Sequence, residues 1–271
     1  NICNFDESVE TFDELNLKPD LLRGIYGYGF ERPSIIQQKA ILPIIQGNDV
    51  IAQAQSGTGK TAAFAIGTLQ LVDPQKDEIQ CLILSPTREL AHQTSIVYQF
   101  LGEYLKVKVC LLIGGTRVGV DIDKLKEGPQ VLVGSPGRVL DLIGKKRISL
   151  GYLQSFVLDE ADEMLSKGFL ETIREIISLI PTTAKILLFS ATMPKGIVEM
   201  TKKFMKDPAK ILVKNEELTL EGIKQYYVFL KKEDKLDVLF QIYRGIEIAQ
   251  AIIYCNTKIS HDTISFKLLQ I

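Results

Sequence analysis

The chain has 271 residues, 46% of them hydrophobic, with 32 basic against 33 acidic side chains and a net charge of −1. That apolar share supplies a real core and excludes wholesale disorder, while the near-neutral charge and a pI near 6.3 exclude nucleic-acid binding by bulk positive charge and leave only a local groove for it. No apolar run is long enough to span a bilayer, and the polar, acidic start over residues 1–10 is unlike a secretory signal.

The length fits one large domain plus part of another. Residues 1–11 read as a flexible tail, and Phe12 and Leu15 as a short docking segment. A helix over 19–26 is opened by Pro19 and stopped by Gly27 and Gly29. Ser34 caps a second helix over 35–45 that carries Pro43. Short apolar runs then recur at 50–52, 81–84, 108–113, 131–133, 156–158, 186–189 and 211–213. Helical spacing fills most of the gaps between them: 61–71, 89–105, 136–143, 160–165 with 170–179, and 195–205. Continuous apolar strands separated by helices predict an α/β fold, a doubly wound parallel sheet covered on both faces, over residues 12–213. In such sheets ligands sit at the carboxyl ends of the strands, where the polar clusters of this chain fall. Residues 214–222 read as a linker. Beyond it, a strand over 223–230, a helix over 235–243 and a buried strand over 251–254 are too little for a complete second domain, so 223–271 is expected to be an incomplete one.

Cys3, Cys81, Cys110 and Cys255 form no CxxC pair, and Cys81 and Cys110 fall in strand-like runs, where they read as buried reduced thiols of a cytosolic or nuclear protein. His92 and His261 are too few for a His-based metal site, and no zinc spacing occurs.

The chemistry starts at Ala54-Gln55-Ser56-Gly57-Thr58-Gly59-Lys60-Thr61, between an apolar strand and an Ala-rich helix. Gly57 and Gly59 let successive N–H groups turn inward around a phosphate, and the following helix adds its positive end. Lys60 can reach the outer phosphates, and the Thr61 hydroxyl can hold Mg²⁺. The general pattern has Gly where this chain has Ala54. Asp159-Glu160-Ala161-Asp162 follows a later strand. An acidic residue there is the expected partner of a phosphate loop, with Asp159 as metal residue and Glu160 placed to orient or deprotonate water. Asp162 can accept hydrogen bonds from hydroxyls.

Asp159 to Asp162 spells the tetrapeptide that names the DEAD-box RNA helicases, and further motifs resemble that family's in its order. Gly29 to Gln37 is similar to its adenine-reading motif, and Ala54 to Thr61 to its own phosphate loop, which begins with Ala. Pro86-Thr87-Arg88-Glu89-Leu90, Gly114-Gly115, Ser135-Pro136-Gly137-Arg138 and Ser190-Ala191-Thr192 also fit, with Ser135 replacing the usual Thr. The resemblance covers about residues 12 to 257. It implies a RecA-like fold and an RNA-dependent ATPase with ATP and Mg²⁺ as cofactors. Phe30, Arg32, Gln37 and residues 55–61 would bind nucleotide, with Phe30 stacking and Gln37 pairing with the adenine edge. The residues from Pro86 to Arg88, Gly114, Gly115 and those from Ser135 to Arg138 would contact RNA through phosphates and riboses, hence without sequence preference. Ser190, Ala191 and Thr192 would couple nucleotide state to RNA separation through Asp162.

Residues 215–225 resemble the interdomain linker of the family's translation-initiation branch and of its exon-junction relative. The resemblance thus implies a cytoplasmic helicase with initiation scaffold proteins as partners, acting as a monomer and away from membranes. The alternative it leaves open is an ATP-gated RNA clamp, which would be nuclear. Residues 252–257 are similar to the first motif of the family's second domain; the Arg-rich motif expected after it does not occur, so this chain alone is expected to turn over slowly.

Overall fold

The computed structural model describes residues 4–5, 7–213, 224, 226–246, 249–255 and 264–265. The chain divides into two compact units, Asn1–Thr219 and Leu220–Ile271. The expected linker at 214–222 lies outside the described residues.

The first unit opens with a 3-10 turn at Asp13–Leu15, then α1 (Pro19–Gly27) and α2 (Ile35–Ile45). Pro43 stays inside α2 rather than ending it. The alternation follows: β1 (Val50–Gln53), α3 (Lys60–Leu71), β2 (Cys81–Leu84), α4 (Arg88–Leu101), β3 (Val109–Leu112), α5 (Val118–Leu125), β4 (Val131–Gly134) and α6 (Pro136–Gly144). It continues with β5 (Ser155–Leu158), α7 (Ala161–Ser166), α8 (Leu170–Leu179), β6 (Lys185–Ser190), α9 (Lys195–Phe204) and β7 (Ala209–Leu212). The strands form one seven-stranded sheet in the order β3-β4-β2-β5-β6-β1-β7, and each pairing is parallel.

Successive residues of a strand point to opposite faces. Cys81 and Ile83 enter one apolar cluster with residues of α1 to α4, while Leu82 and Leu84 enter a second with residues of α6 to α9. Both faces are dry, which is why these strands read as unbroken apolar runs. The amino ends of the strands are fixed by buried polar side chains. Gln80 exchanges two bonds with the Asp73 backbone, and Gln130 reaches Lys108 N–H and the Lys76 carbonyl. Asp49 accepts from Ile186 N–H at 2.9 Å and Lys206 N–H at 2.7 Å, joining β6 to the turn before β7. The carboxyl ends are left for chemistry.

Four expectations change. Helix α5 has no counterpart in the sequence reading, because Val118-Gly119-Val120 is a poor helix former; packing beside β3 decides it. The helix expected to run to 105 ends at Leu101, where Gly102 follows. In the second unit a helix forms at Lys235–Gly245, which we call α10, but the strand expected over 251–254 is absent, with Tyr254 89% exposed. Residues 226–230 of the other expected strand are also irregular, and 223 and 225 lie outside the described residues. A strand without a sheet to join leaves its backbone groups unpaired, so apolar pattern alone does not make one.

Candidate nucleotide and nucleic-acid site

Strand β1 delivers the phosphate loop to the carboxyl edge of the sheet. Gly57 and Gly59 take φ of 81° and 93°, a left-handed backbone open to glycine and strained for other residues. Thr58 Oγ1 bonds to the Gln55 carbonyl at 2.8 Å and closes the turn. Gln55 and Ser56 are exposed at its tip, and Thr61 is half-buried in the first turn of α3. Lys60 is only 4% exposed. Its Nζ donates to the Ala54 carbonyl at 2.9 Å and lies 3.2 Å and 3.3 Å from the two Glu160 carboxylate oxygens.

Those oxygens arrive from the end of β5, 100 residues away in sequence. Glu160 is the cap of α7 with φ 47° and ψ 55°, an uncommon conformation for a residue with a side chain. Asp159 beside it is 4% exposed. Burial pushes its carboxyl up to about 7, and the Glu160 charge adds to the push, against Lys60, the Glu160 N–H and Thr94. A dry carboxylate next to another carboxylate suits a cation. No group of three metal-ligating side chains occurs among the described residues. Mg²⁺ does not require one, since it keeps several waters and takes one or two carboxylates plus phosphate oxygens. Asp159 and Thr61 therefore fit that ion. Thr94, on the buried face of α4, escaped the sequence reading because a threonine inside an amphipathic helix carries no local signal.

Asp162 joins β6 to α7. Its Oδ2 accepts from Thr192 N–H at 3.0 Å and Thr192 Oγ1 at 2.7 Å. Its own N–H donates to Ser190 Oγ at 3.2 Å, and that hydroxyl donates to the Thr192 carbonyl at 2.7 Å. Burial raises the Asp162 carboxyl, but the bonds from Thr192, Ser190 and Glu163 outweigh it and hold the group below its ordinary value. The expected contact between the Ser190-Ala191-Thr192 stretch and Asp162 is thus present. Ala191 contributes its carbonyl, which accepts from Gln53 Nε2 at 3.2 Å. A cleft of about 660 Å³ runs past Ser56, Glu160, Asp162 and Thr192.

Gln37 is in a different situation from the one expected. It is 2% exposed, and its amide is engaged: Oε1 accepts from Ser34 N–H at 2.9 Å and Nε2 donates to the Gly59 carbonyl at 3.2 Å. The side chain holds α2 to the phosphate loop, with one N–H and one lone pair over. Phe30 is half-buried against Phe12 and Tyr28, and Arg32 is exposed.

The proposed RNA contacts also converge. A second cleft, of about 500 Å³, is lined by Pro86, Thr87, Arg88, Gly114, Ser135, Gly137 and Arg138, joined by Lys167 and Phe169, which sequence reading did not single out. Pro136 is buried beneath it as the first residue of α6. Thr87 caps α4 by accepting from Leu90 N–H at 3.1 Å. Both arginines have close neighbours here. Gly114 and Gly115 admit the Arg88 guanidinium itself: a Cβ on Gly115 would lie 2.5 Å from Arg88 Nη1. Arg138 is paired with Asp121. Nothing in the sequence marks Asp121, one of two acids with Asp123 in the stretch that follows Val118-Gly119-Val120.

Residues 34–200 match the DEAD/DEAH box helicase family. The chain is 54% identical over 266 residues to the ATP-dependent RNA helicase eIF4A of Neurospora crassa, covering 98% of this chain and 67% of that protein. It is 55% identical, at the same coverage, to the eIF4A of Botryotinia fuckeliana. Among solved structures it resembles S. cerevisiae Dbp5 bound to RNA and ADP BeF3, with TM-score 0.82 and 37% identity over 97% of this chain and 67% of that one. It also resembles a DEAD box protein from Methanococcus jannaschii, with TM-score 0.73 and 35% identity over 97% of this chain and 71% of that one. With the family match extending from the cap of α2 through most of α9, the chain belongs to the DEAD/DEAH box helicase family.

Proposed function

We propose that this chain is an ATP-dependent RNA helicase acting in translation initiation, in the manner its eIF4A relatives are named for. One observation carries the reading. Lys60 after β1, Glu160 and Asp162 after β5 and Thr192 after β6 converge at one edge of the sheet, and the second cleft is lined from the starts of α4 and α6 at that same edge.

In this reading Lys60 leaves the Ala54 carbonyl for the outer phosphates. Phosphate bound at the loop then draws Lys60 off Glu160, so that Glu160 becomes available to orient water. Asp159 and Thr61 would hold Mg²⁺, which would supply positive charge against the phosphates. Phe30, Arg32 and Gln37 take the adenine side, Gln37 with its remaining donor and acceptor. The Asp162–Ser190–Thr192 bonds tie the nucleotide edge to β6 and couple nucleotide state to RNA held in the second cleft. Initiation scaffold proteins are the partners and the cytoplasm is the compartment that follow from this role. The clamp alternative has no corresponding support from the eIF4A relatives.

The test is ATP hydrolysis measured with and without single-stranded RNA. Stimulation by RNA of any sequence is expected. Turnover indifferent to RNA, with no RNA binding in the presence of ATP, would sink the proposal.

A further inference from the structure

Arg138 lines the RNA cleft, yet its guanidinium is already spoken for. Nη1 donates to Asp121 Oδ2 at 2.6 Å, and Nη2 donates to the Thr116 carbonyl at 2.8 Å. The side chains of Arg138 and Asp121 are 10% and 1% exposed. Thr116 Oγ1 donates to the Ile113 carbonyl at 2.9 Å and reaches the two Asp121 oxygens at 3.3 and 3.4 Å. These bonds close a ring from α6, through Asp121 on α5, to the loop that holds Gly114 and Gly115. Arg88 lies over the same two glycines from the start of α4.

A planar guanidinium with one arm on a carboxylate and one on a carbonyl is oriented as well as neutralised. Drawing it to a phosphate would leave Asp121 buried and uncompensated, which is strongly unfavourable. Among the described residues no carboxylate is paired with Arg88, which is exposed.

We propose that Asp121 is a positioning residue for RNA binding: through Arg138 it fixes the Gly114-Gly115 loop against the start of α6, so that Arg88 and backbone N–H groups meet the phosphates and the Arg138 guanidinium does not. This rests on the RNA-binding reading above. It differs from that reading's first expectation, in which Arg138 is itself a phosphate contact.

The experiment measures binding of a fluorescent single-stranded oligouridine to the chain with ATP and Mg²⁺, as a function of salt. Each phosphate contact on a single strand contributes about 0.7 to the slope of log K against log salt. Asp121→Asn and Arg138→Gln are each expected to weaken binding about tenfold, in line with loss of one charge-assisted hydrogen bond, with the slope unchanged. The double variant is expected to be no weaker than either single one. Arg138→Lys keeps the charge but loses the fork, and should weaken binding similarly; Asp121→Glu should retain most of it. The proposal is overturned if Arg138→Gln lowers the slope by about 0.7 while Asp121→Asn binds as well as or better than the parent. Should Asp121→Asn fail to fold, Arg138→Lys decides: parental affinity overturns the proposal, and a tenfold loss at unchanged slope supports it. Absence of binding by the parent chain would instead remove the RNA-binding reading.

Discussion

Lys60 is a cation with nowhere dry to put its charge except against Glu160 and the Ala54 carbonyl, and both contacts occupy the nitrogen that the phosphates need. Lys60→Ala is therefore expected to abolish ATP turnover, checked by phosphate release, with the far-UV circular dichroism unchanged. Glu160→Gln keeps the shape and loses the base. It should retain nucleotide binding while hydrolysis falls by about 10²–10⁴, the usual worth of a general base; normal hydrolysis would remove Glu160 from that role. Asp162 gives the pH test. Its folded-state carboxyl is held below the ordinary value by Thr192 and Ser190 bonds that outweigh burial, so it binds protons less readily folded than unfolded. Its contribution to stability is then fully present above the ordinary aspartate value and is lost as pH falls through the lower folded value. Asp162→Asn should show a smaller loss of melting temperature than the parent over that acid window.

At the scale of elements, helix contacts decide which small residues are replaceable. A Cβ on Gly24 of α1 would run into the Leu101 carbonyl at the end of α4, and backbone cannot swing aside. Gly24→Ala should destabilise by about 1–3 kcal/mol in urea titration, the usual range for overpacking. Gly59 is constrained twice, by φ of 93° and by Gln37 Nε2 at 2.6 Å from any added Cβ. Its replacement by Ala would push α2 away from the phosphate loop and impair nucleotide binding. The same packing governs the cysteines. Cys81 is buried beside Tyr98, and burial pushes its thiol up to about 12, against hydrogen bonds from Thr68 and Tyr98. Cys110 is buried too, and Cys255 is part-exposed. Alkylation of the native protein should label Cys255 ahead of Cys81 and Cys110, which react only on unfolding; mass spectrometry of the modified peptides checks it.

For the whole molecule, the parallel sheet carries the site at one end and its polar staples at the other. Nucleotide held by the proposed site would join segments after β1 and β5, so it should stabilise the first unit as a body. At a ligand concentration of 100 times Kd, mass action gives about 2.7 kcal/mol, readable as a rise in melting temperature with ATP and Mg²⁺. Lys60→Ala should lose that rise. A rise of equal size in the variant would place the nucleotide elsewhere.

The sequence by itself determined the strands of the first unit and its helices other than α5. Apolar strand runs are legible because both faces of a parallel sheet are dry, and the glycine loop, the Asp159–Asp162 stretch and the Ser190–Thr192 stretch are legible because local backbone geometry fixes their residue types. Tertiary structure decided the rest, because pairings between distant segments leave no local periodicity. It joined Lys60 to Glu160, gave Gln37 to the Gly59 carbonyl, laid Arg88 over Gly114 and Gly115, and spent Arg138 on Asp121. It also withheld the strand expected at 251–254, since a strand exists only where a neighbouring strand can take its hydrogen bonds.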